Sequence, residues 1–451
     1  MAAAGGLNAL LPVASMAHIT LGISILILLS KSKRRNWNEY MAALIISWIM
    51  IFLGIRYAMS SYIDYIAVTG QVGELTAGPS DVFYTWYNYF EEAMDFAYHP
   101  MIGVLALIFP IPFLQNKFNH KRIFAFLALC WAILIPFTIY TEFSHRDILR
   151  GTASVGWIAW IFIHIRYIIG EIHYDEKHAR ILSGVSVLLL LALYGKWAIF
   201  GLGDLFQLNN AFRSQSIVLD IVPQSYVSGM LEQINASLNS LTLVALVLGE
   251  GYRTYKKGID GYSWLVFGFF LIAMVWFFAI IFESNSALQC VQTVCTPLSP
   301  LATEFYIFTA QTIQYLLTPI LFMYIILNFD LVDTSSHDSN KNVTRFMVLM
   351  LLIIATSSVI ELIQLILPIS DIVTSAMFGI GIIGFIGWEE RITSKLMVAD
   401  HSVSTALSNS GIVVEYFEMD RNFEKLFLYG AIAVIFYSFL LSMFGVNYWG
   451  R

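Results

Sequence analysis

The chain is 451 residues long, 58% apolar and only 12% charged, so it lacks the charged surface that a soluble domain of this size needs. Its 25 basic and 31 acidic residues leave a net charge of −6, too mild to imply a nucleic-acid partner. Three cysteines exclude a disulfide-rich scaffold, and their spacing excludes a CxxC zinc or redox motif.

Crossing a bilayer takes about 20 apolar residues, because hydrocarbon offers no water to backbone N–H and C=O groups. The first such run is Leu7–Leu29, with no small-residue cleavage site, so it is expected to remain as a span. Tyr40–Met59 is the second, followed by a loop from Ser60 to Phe90 whose aromatics from Tyr84 onward resemble an interfacial belt. The third, Asp95–Leu114, opens on Glu91, Glu92, Asp95 and His99. Spacings of three and four set Glu92, Asp95 and His99 on one helical face, while Glu91 and Glu92 also suit a solvated interface. Ile123–Tyr140 carries Cys130 as a small core residue. Val155–Ile169 holds Trp157, Trp160, His164 and Arg166, with Glu171, His173, Asp175 and His178 after it. That cluster matches no zinc or haem spacing, so it reads as a core histidine followed by a solvated loop, with no metal site. His164 has the chemistry of an inner-half proton relay. Ile181–Leu202 contains Lys196.

The second set begins with Val227–Leu248, where Glu232, Asn235 and Asn239 share a face. Trp264–Phe282 leads to a polar loop with Cys290 and Cys295, which can form a disulfide if that loop is outside. Phe305–Leu327 carries Gln311, Gln314 and Thr318, and Phe346–Leu367 carries Glu361 and Gln364. In Ile372–Trp388 the glycines Gly379, Gly381 and Gly384 fit GxGxxG but lack a flanking strand, so close helix packing explains them better than a nucleotide. Leu426–Phe444 is the twelfth run. The stretch Thr318–Asp333 resembles the end of membrane sensor modules in some histidine kinases, over a single span, which assigns no family.

Basic residues favour the cytoplasmic side, and alternate loops collect them: Lys31 to Arg35, Lys117 to Arg122, Lys177 and Arg180, Arg253 to Lys257, Lys341 and Arg345, and Arg391 to Lys425. That places both termini and the Cys290–Cys295 loop outside, and leaves the Asn342-Val-Thr344 sequon inside and unmodified. The chain also aligns with itself. Ala14–Leu21 falls on Ala236–Leu243, Glu92 on Gln311, Asp95 on Gln314, and Pro100 on Pro319. The expected fold is therefore an all-α polytopic membrane protein of about twelve transmembrane helices in two parallel six-helix repeats, N-terminus outside. Residues 1–205 form the first repeat, 206–226 an outer connecting loop, and 227–451 the second repeat with an inner insertion near 396–418.

Ionisable groups inside spans are costly and are site candidates by default. Asp95, His99, Lys196, Glu232, Gln311, Gln314 and Glu361 all fall in the outer half, as a polar vestibule would require, and Glu92 and Asn235 join them as candidate ligand-binding residues. Lys196 needs a counter-ion, which Asp95, Glu232 or Glu361 can supply, and a purely structural ion pair is the plainer alternative. No Walker, kinase or nucleophile-elbow motif is present, so neither enzyme activity nor a cofactor is expected. The leading expectation is a multi-pass cell-membrane transporter of a small solute. The alternatives are a sensory module that binds a ligand in the vestibule and signals through a partner, and a non-catalytic subunit of a membrane complex.

Overall fold

The computed structural model describes residues 10–31, 37–68, 94, 97–111, 129, 132–133, 147–174, 179–205, 226–287, 312–329, 331–332, 342–354 and 356. Among them there is helix and no strand. Among the described residues three helices have the length and composition to cross a membrane: Leu11–Ser30, Asn38–Tyr62 and Gly261–Phe278, with mean hydropathies of 2.0, 1.9 and 1.9. Long apolar helices of this kind mark a membrane protein.

In chain order the helices are α1 (Leu10–Lys31), α2 (Trp37–Val68), α3 (Ala97–Ile108), α4 (Asp147–His173), α5 (Ala179–Leu205), α6 (Tyr226–Lys257) and α7 (Gly261–Ala287). A π-helical turn, Thr312–Leu317, runs into α8 (Thr318–Asn328), and α9 spans Asn342–Ile354. The described residues fall into two compact units, divided within α4 after Ala159 and within α8 after Leu321. The first contains α1, α2, α3 and α9; the second contains α5, α6, α7 and the π turn.

In the first unit α1 and α2 form an antiparallel pair built on small residues. Ser15 Oγ donates to the Gly54 carbonyl at 2.8 Å, and Ser47 Oγ donates to the Gly22 carbonyl at 3.1 Å. The two bonds are reciprocal: each helix supplies one serine and one glycine at the same register. A Cβ on Gly22 would stand 2.7 Å from Ile51 Cγ1, and one on Gly54 would stand 2.6 Å from Ile19 Cγ1. The missing side chains therefore let the backbones approach, as small residues do between helices in lipid. On the opposite side Val13, Met16, Ile23 and Ile27 are exposed, an apolar stripe suited to acyl chains.

In the second unit α5 packs along α6 and α7. Gly184 makes room for Tyr262, whose ring would lie 2.7 Å from any Cβ there. The π turn precedes Pro319, which has no N–H for the helical bond to residue 315 and whose ring crowds that carbonyl. A widened turn before a proline resolves both conflicts, a tolerance typical of membrane helices.

Of the sequence-based expectations, the spans from Ile372 to Trp388 and from Leu426 to Phe444, the 206–225 stretch, the 396–418 insertion and the Cys290–Cys295 pair lie outside the described residues.

Candidate functional site

Two levels of the second unit carry polar chemistry. At the first, where α4 and α6 end and α5 and α7 begin, five charged side chains interlock. Arg180, in the first turn of α5, donates from Nη1 and Nη2 to both carboxylate oxygens of Glu250 at 2.6 and 2.9 Å. The same guanidinium donates from Nε and Nη2 to both oxygens of Asp260 at 2.7 and 2.6 Å. Arg253, one turn beyond Glu250 on α6, grips Glu171 of α4 through Nε and Nη2 at 2.8 and 3.0 Å. It reaches Asp260 at 3.2 Å and donates from Nη1 to the Gly258 carbonyl at 3.1 Å. Ser263 Oγ adds a bond to Glu250 at 2.7 Å. Glu250 is fully buried, so it is an anion held out of water entirely by its partners.

Local structure explains the placement. Asp260 is the N-cap of α7, its Oδ1 accepting the Ser263 N–H at 3.0 Å, so one carboxylate both starts a helix and joins two arginines. Gly258, with φ 92°, closes α6 by accepting a left-handed conformation, and its N–H bonds to the Thr254 carbonyl at 2.9 Å. That tight reversal brings Asp260 back over Arg180. The Arg180 guanidinium also lies over the Tyr262 ring at 4.9 Å. A forked guanidinium that satisfies two carboxylates at once is a role lysine cannot fill.

The charges perturb one another. Burial works to raise the Asp260 carboxyl, but the hydrogen bonds from Arg180 and the Ser263 N–H and the two arginine charges outweigh it, holding the group well below the usual carboxylate range. Burial likewise opposes the Arg180 charge, and its bonds to Asp260 and Glu250 push its pKa above the ordinary guanidinium value. A carboxyl with a depressed pKa contributes stability that is complete above its unfolded value, near 3.8, and is lost as the pH falls through the lower folded value. The Asp260 contribution is therefore expected to be constant from pH 8 to about 5 and to fall only below about 4. Asp260→Asn should erase that acid dependence, as read from the midpoint of detergent-solubilised unfolding against pH.

The second level lies further along α5 and α6. Arg180 at the start of α5 meets Glu250 near the end of α6, so these long-packed helices run antiparallel. From Arg180 to Lys196 is about 24 Å of helix at about 1.5 Å per residue, and from Glu250 back to Glu232 and Asn235 is about 27 and 22 Å. These three backbone positions thus share a level. Thr318 Oγ1 donates to the Ala192 carbonyl at 2.7 Å, and Leu317 approaches Gly195, so the π turn runs antiparallel to α5. The backbone of Gln314, one turn earlier, is then at the level of residue 196. A π turn at such a level is a recurrent feature of functional sites.

Of the remaining expected residues, His99 lies in the first unit, half-buried on α3, its ring stacked on Tyr98 with centroids 4.3 Å apart. Arg56 Nη1 donates to the Tyr98 hydroxyl at 3.2 Å. Glu92, Asp95, Gln311 and Glu361 lie outside the described residues. Glu171, expected in a solvated loop, is instead in the last turns of α4 and paired with Arg253, because the helix continues past the apolar run. His164 is fully buried.

Neither the ion network nor His18 stands out in the sequence. His18 is fully buried on α1, with Nδ1 against the Ala14 carbonyl at 2.7 Å and its ring edge-on to Tyr57. A usable signal for the network existed: Glu250 and Arg253 are one turn apart beside a Gly-Ile-Asp turn, a spacing that pairs charges on a helix. Among the described residues no group of histidine, cysteine and acid side chains is arranged to hold a metal ion. No protein-family model, curated protein or solved structure matches the chain.

Proposed function

We propose that the chain is a multi-pass cell-membrane transporter of a small solute, built from about twelve spans in two parallel six-helix repeats. The solute site is formed by Lys196, Glu232, Asn235 and Gln314, the polar positions of the second unit whose backbones share a level. The observation that carries this reading is the π turn beside α5, which interrupts regular helix at the level of Lys196. An irregular backbone at membrane depth survives where it lines a cavity or packs against protein, and transporters use such broken helices at their substrate sites. In this reading the Arg180–Glu250–Asp260 network lies at the inner end and closes it, while the Lys196 level opens outward.

Uptake of a panel of labelled cationic, anionic and zwitterionic solutes by proteoliposomes tests it. Lys196→Gln is expected to reduce uptake of the transported solute at least tenfold with little change in folded yield. A change in thermal stability with unaltered uptake would make Lys196 a structural ion-pair partner. Saturable binding without flux for any solute would favour the sensory module and sink transport.

A further inference from the structure

Three helices meet around one side chain that the network leaves out. His164, on α4, is fully buried; among the described residues neither ring nitrogen makes a hydrogen bond of good geometry, and the Ser183 backbone on α5 is the polar group that its ring approaches. Its Nε2 packs on α6 where Gly249 has no side chain: a Cβ there would be 2.9 Å away. The next residue of α6 is Glu250, whose carboxylate turns instead toward Arg180 and Ser263.

The charges beside it are balanced among the described residues. Glu171, Glu250 and Asp260 supply three negative charges, and Arg166, Arg180 and Arg253 supply three positive ones. An imidazolium at His164 would therefore add an uncompensated positive charge. The packed arrangement gives that cation no free carboxylate among the described residues, since both Glu250 oxygens are engaged and Gly249 seals the ring against α6.

We propose that His164 is a proton-binding site whose occupation opens the end of the unit that the arginine network closes. A proton from water adds to the free ring nitrogen, forming one N–H bond and an imidazolium. The new cation draws the Glu250 carboxylate, which exchanges its Arg180 bonds for the imidazolium N–H, while Arg180 keeps Asp260. The α4–α6 contact at Gly249 must widen for this exchange, so proton uptake and parting of the helices are one event. The groups that face the exchange are Arg166 and Glu171 on α4, with His173 beyond them. Arg180 faces it from α5, Glu250 and Arg253 from α6, and Asp260 from the start of α7. None of the others is both buried and lacking a charge partner in the way His164 is. As a coupling device this rests on the transport reading; as a proton site it stands on the geometry alone.

Nitroxide labels at Tyr174→Cys and Tyr255→Cys report the α4–α6 separation, since these side chains are 70% and 80% exposed at the two helix ends. The background is the full chain with Cys130, Cys290 and Cys295 replaced, in lipid nanodiscs. Lowering the pH from 7.5 to 5.0 is expected to raise the wider-distance population several-fold, and His164→Gln is expected to leave it flat. A flat response with His164 intact, or a full response in His164→Gln, overturns the proposal. Gly249→Ala crowds Nε2 without removing it and should populate the wider state already at pH 7.5; an unchanged distribution also counts against the proposal. Flux without a pH-dependent distance would reject this inference and leave transport standing, whereas a distance response without flux would do the reverse.

Discussion

Arg180→Met is expected to be the most damaging single substitution in the second unit, lowering unfolding free energy by about 3–5 kcal/mol. The figure follows from what remains behind. Glu250 is fully buried and, among the described residues, would keep a charge with only Ser263 Oγ to bond it, while Asp260 would retain Arg253 and Ser263. Breaking a buried pair from one side costs far more than the pair is worth when whole, because an uncompensated charge is stranded. The double variant Arg180→Met with Glu250→Gln should therefore be milder than Arg180→Met by itself. Arg180→Lys should fall between, since an ammonium keeps the charge but cannot fork to two carboxylates at once. Denaturant or thermal unfolding in detergent, read for all three, decides the matter. Equal losses in the single and double variants would mean that the pair contributes shape and not charge.

Gly54→Ile is the second large effect expected, in the first unit. The added Cβ would sit 2.6 Å from Ile19 Cγ1 and 3.0 Å from the Ile19 backbone nitrogen. The side chain of Ile19 can turn, but its backbone cannot move without parting α1 from α2 along their length. Parting them stretches the Ser15–Gly54 and Ser47–Gly22 bonds together, because one register holds both. Overpacking of this kind costs about 1–3 kcal/mol or more. Gly268→Ala is the matched control: nothing lies within 4 Å of the new Cβ, and alanine in a helix interior should be neutral or stabilising by up to about 1 kcal/mol. A comparable loss in both variants would show that the effect is not one of close approach.

Where helices begin to be apolar was readable from composition alone. Leu7–Leu29 and Tyr40–Met59 correspond to α1 and α2, because apolar runs of span length are what a bilayer requires of any chain. Where helices end was not. α2 continues to Val68, and α4 runs from Asp147 to His173, through polar residues at which hydropathy registers a loop. Helix propagation needs only the next backbone bond, which Ser, Tyr or Glu supplies as well as Leu.

The candidate site divides in the same way. Lys196, Glu232, Asn235 and Gln314 stood out in the sequence because polar groups in apolar runs are costly whatever surrounds them. That their backbone positions share one level depends on the antiparallel register of α5 with α6 and with the π turn, which no local pattern encodes. Arg180 and Arg253 read in one dimension as markers of sidedness, a property of charge count and loop position. Their bonds to Glu250, Asp260 and Glu171 join residues 70, 80 and 82 positions apart in the chain. Sequence by itself determined the membrane class and the residues too polar for their surroundings, since transfer free energies act on each side chain where it stands. Only the tertiary structure decided which charges meet, because pairing depends on the separation of helices that packing alone brings together.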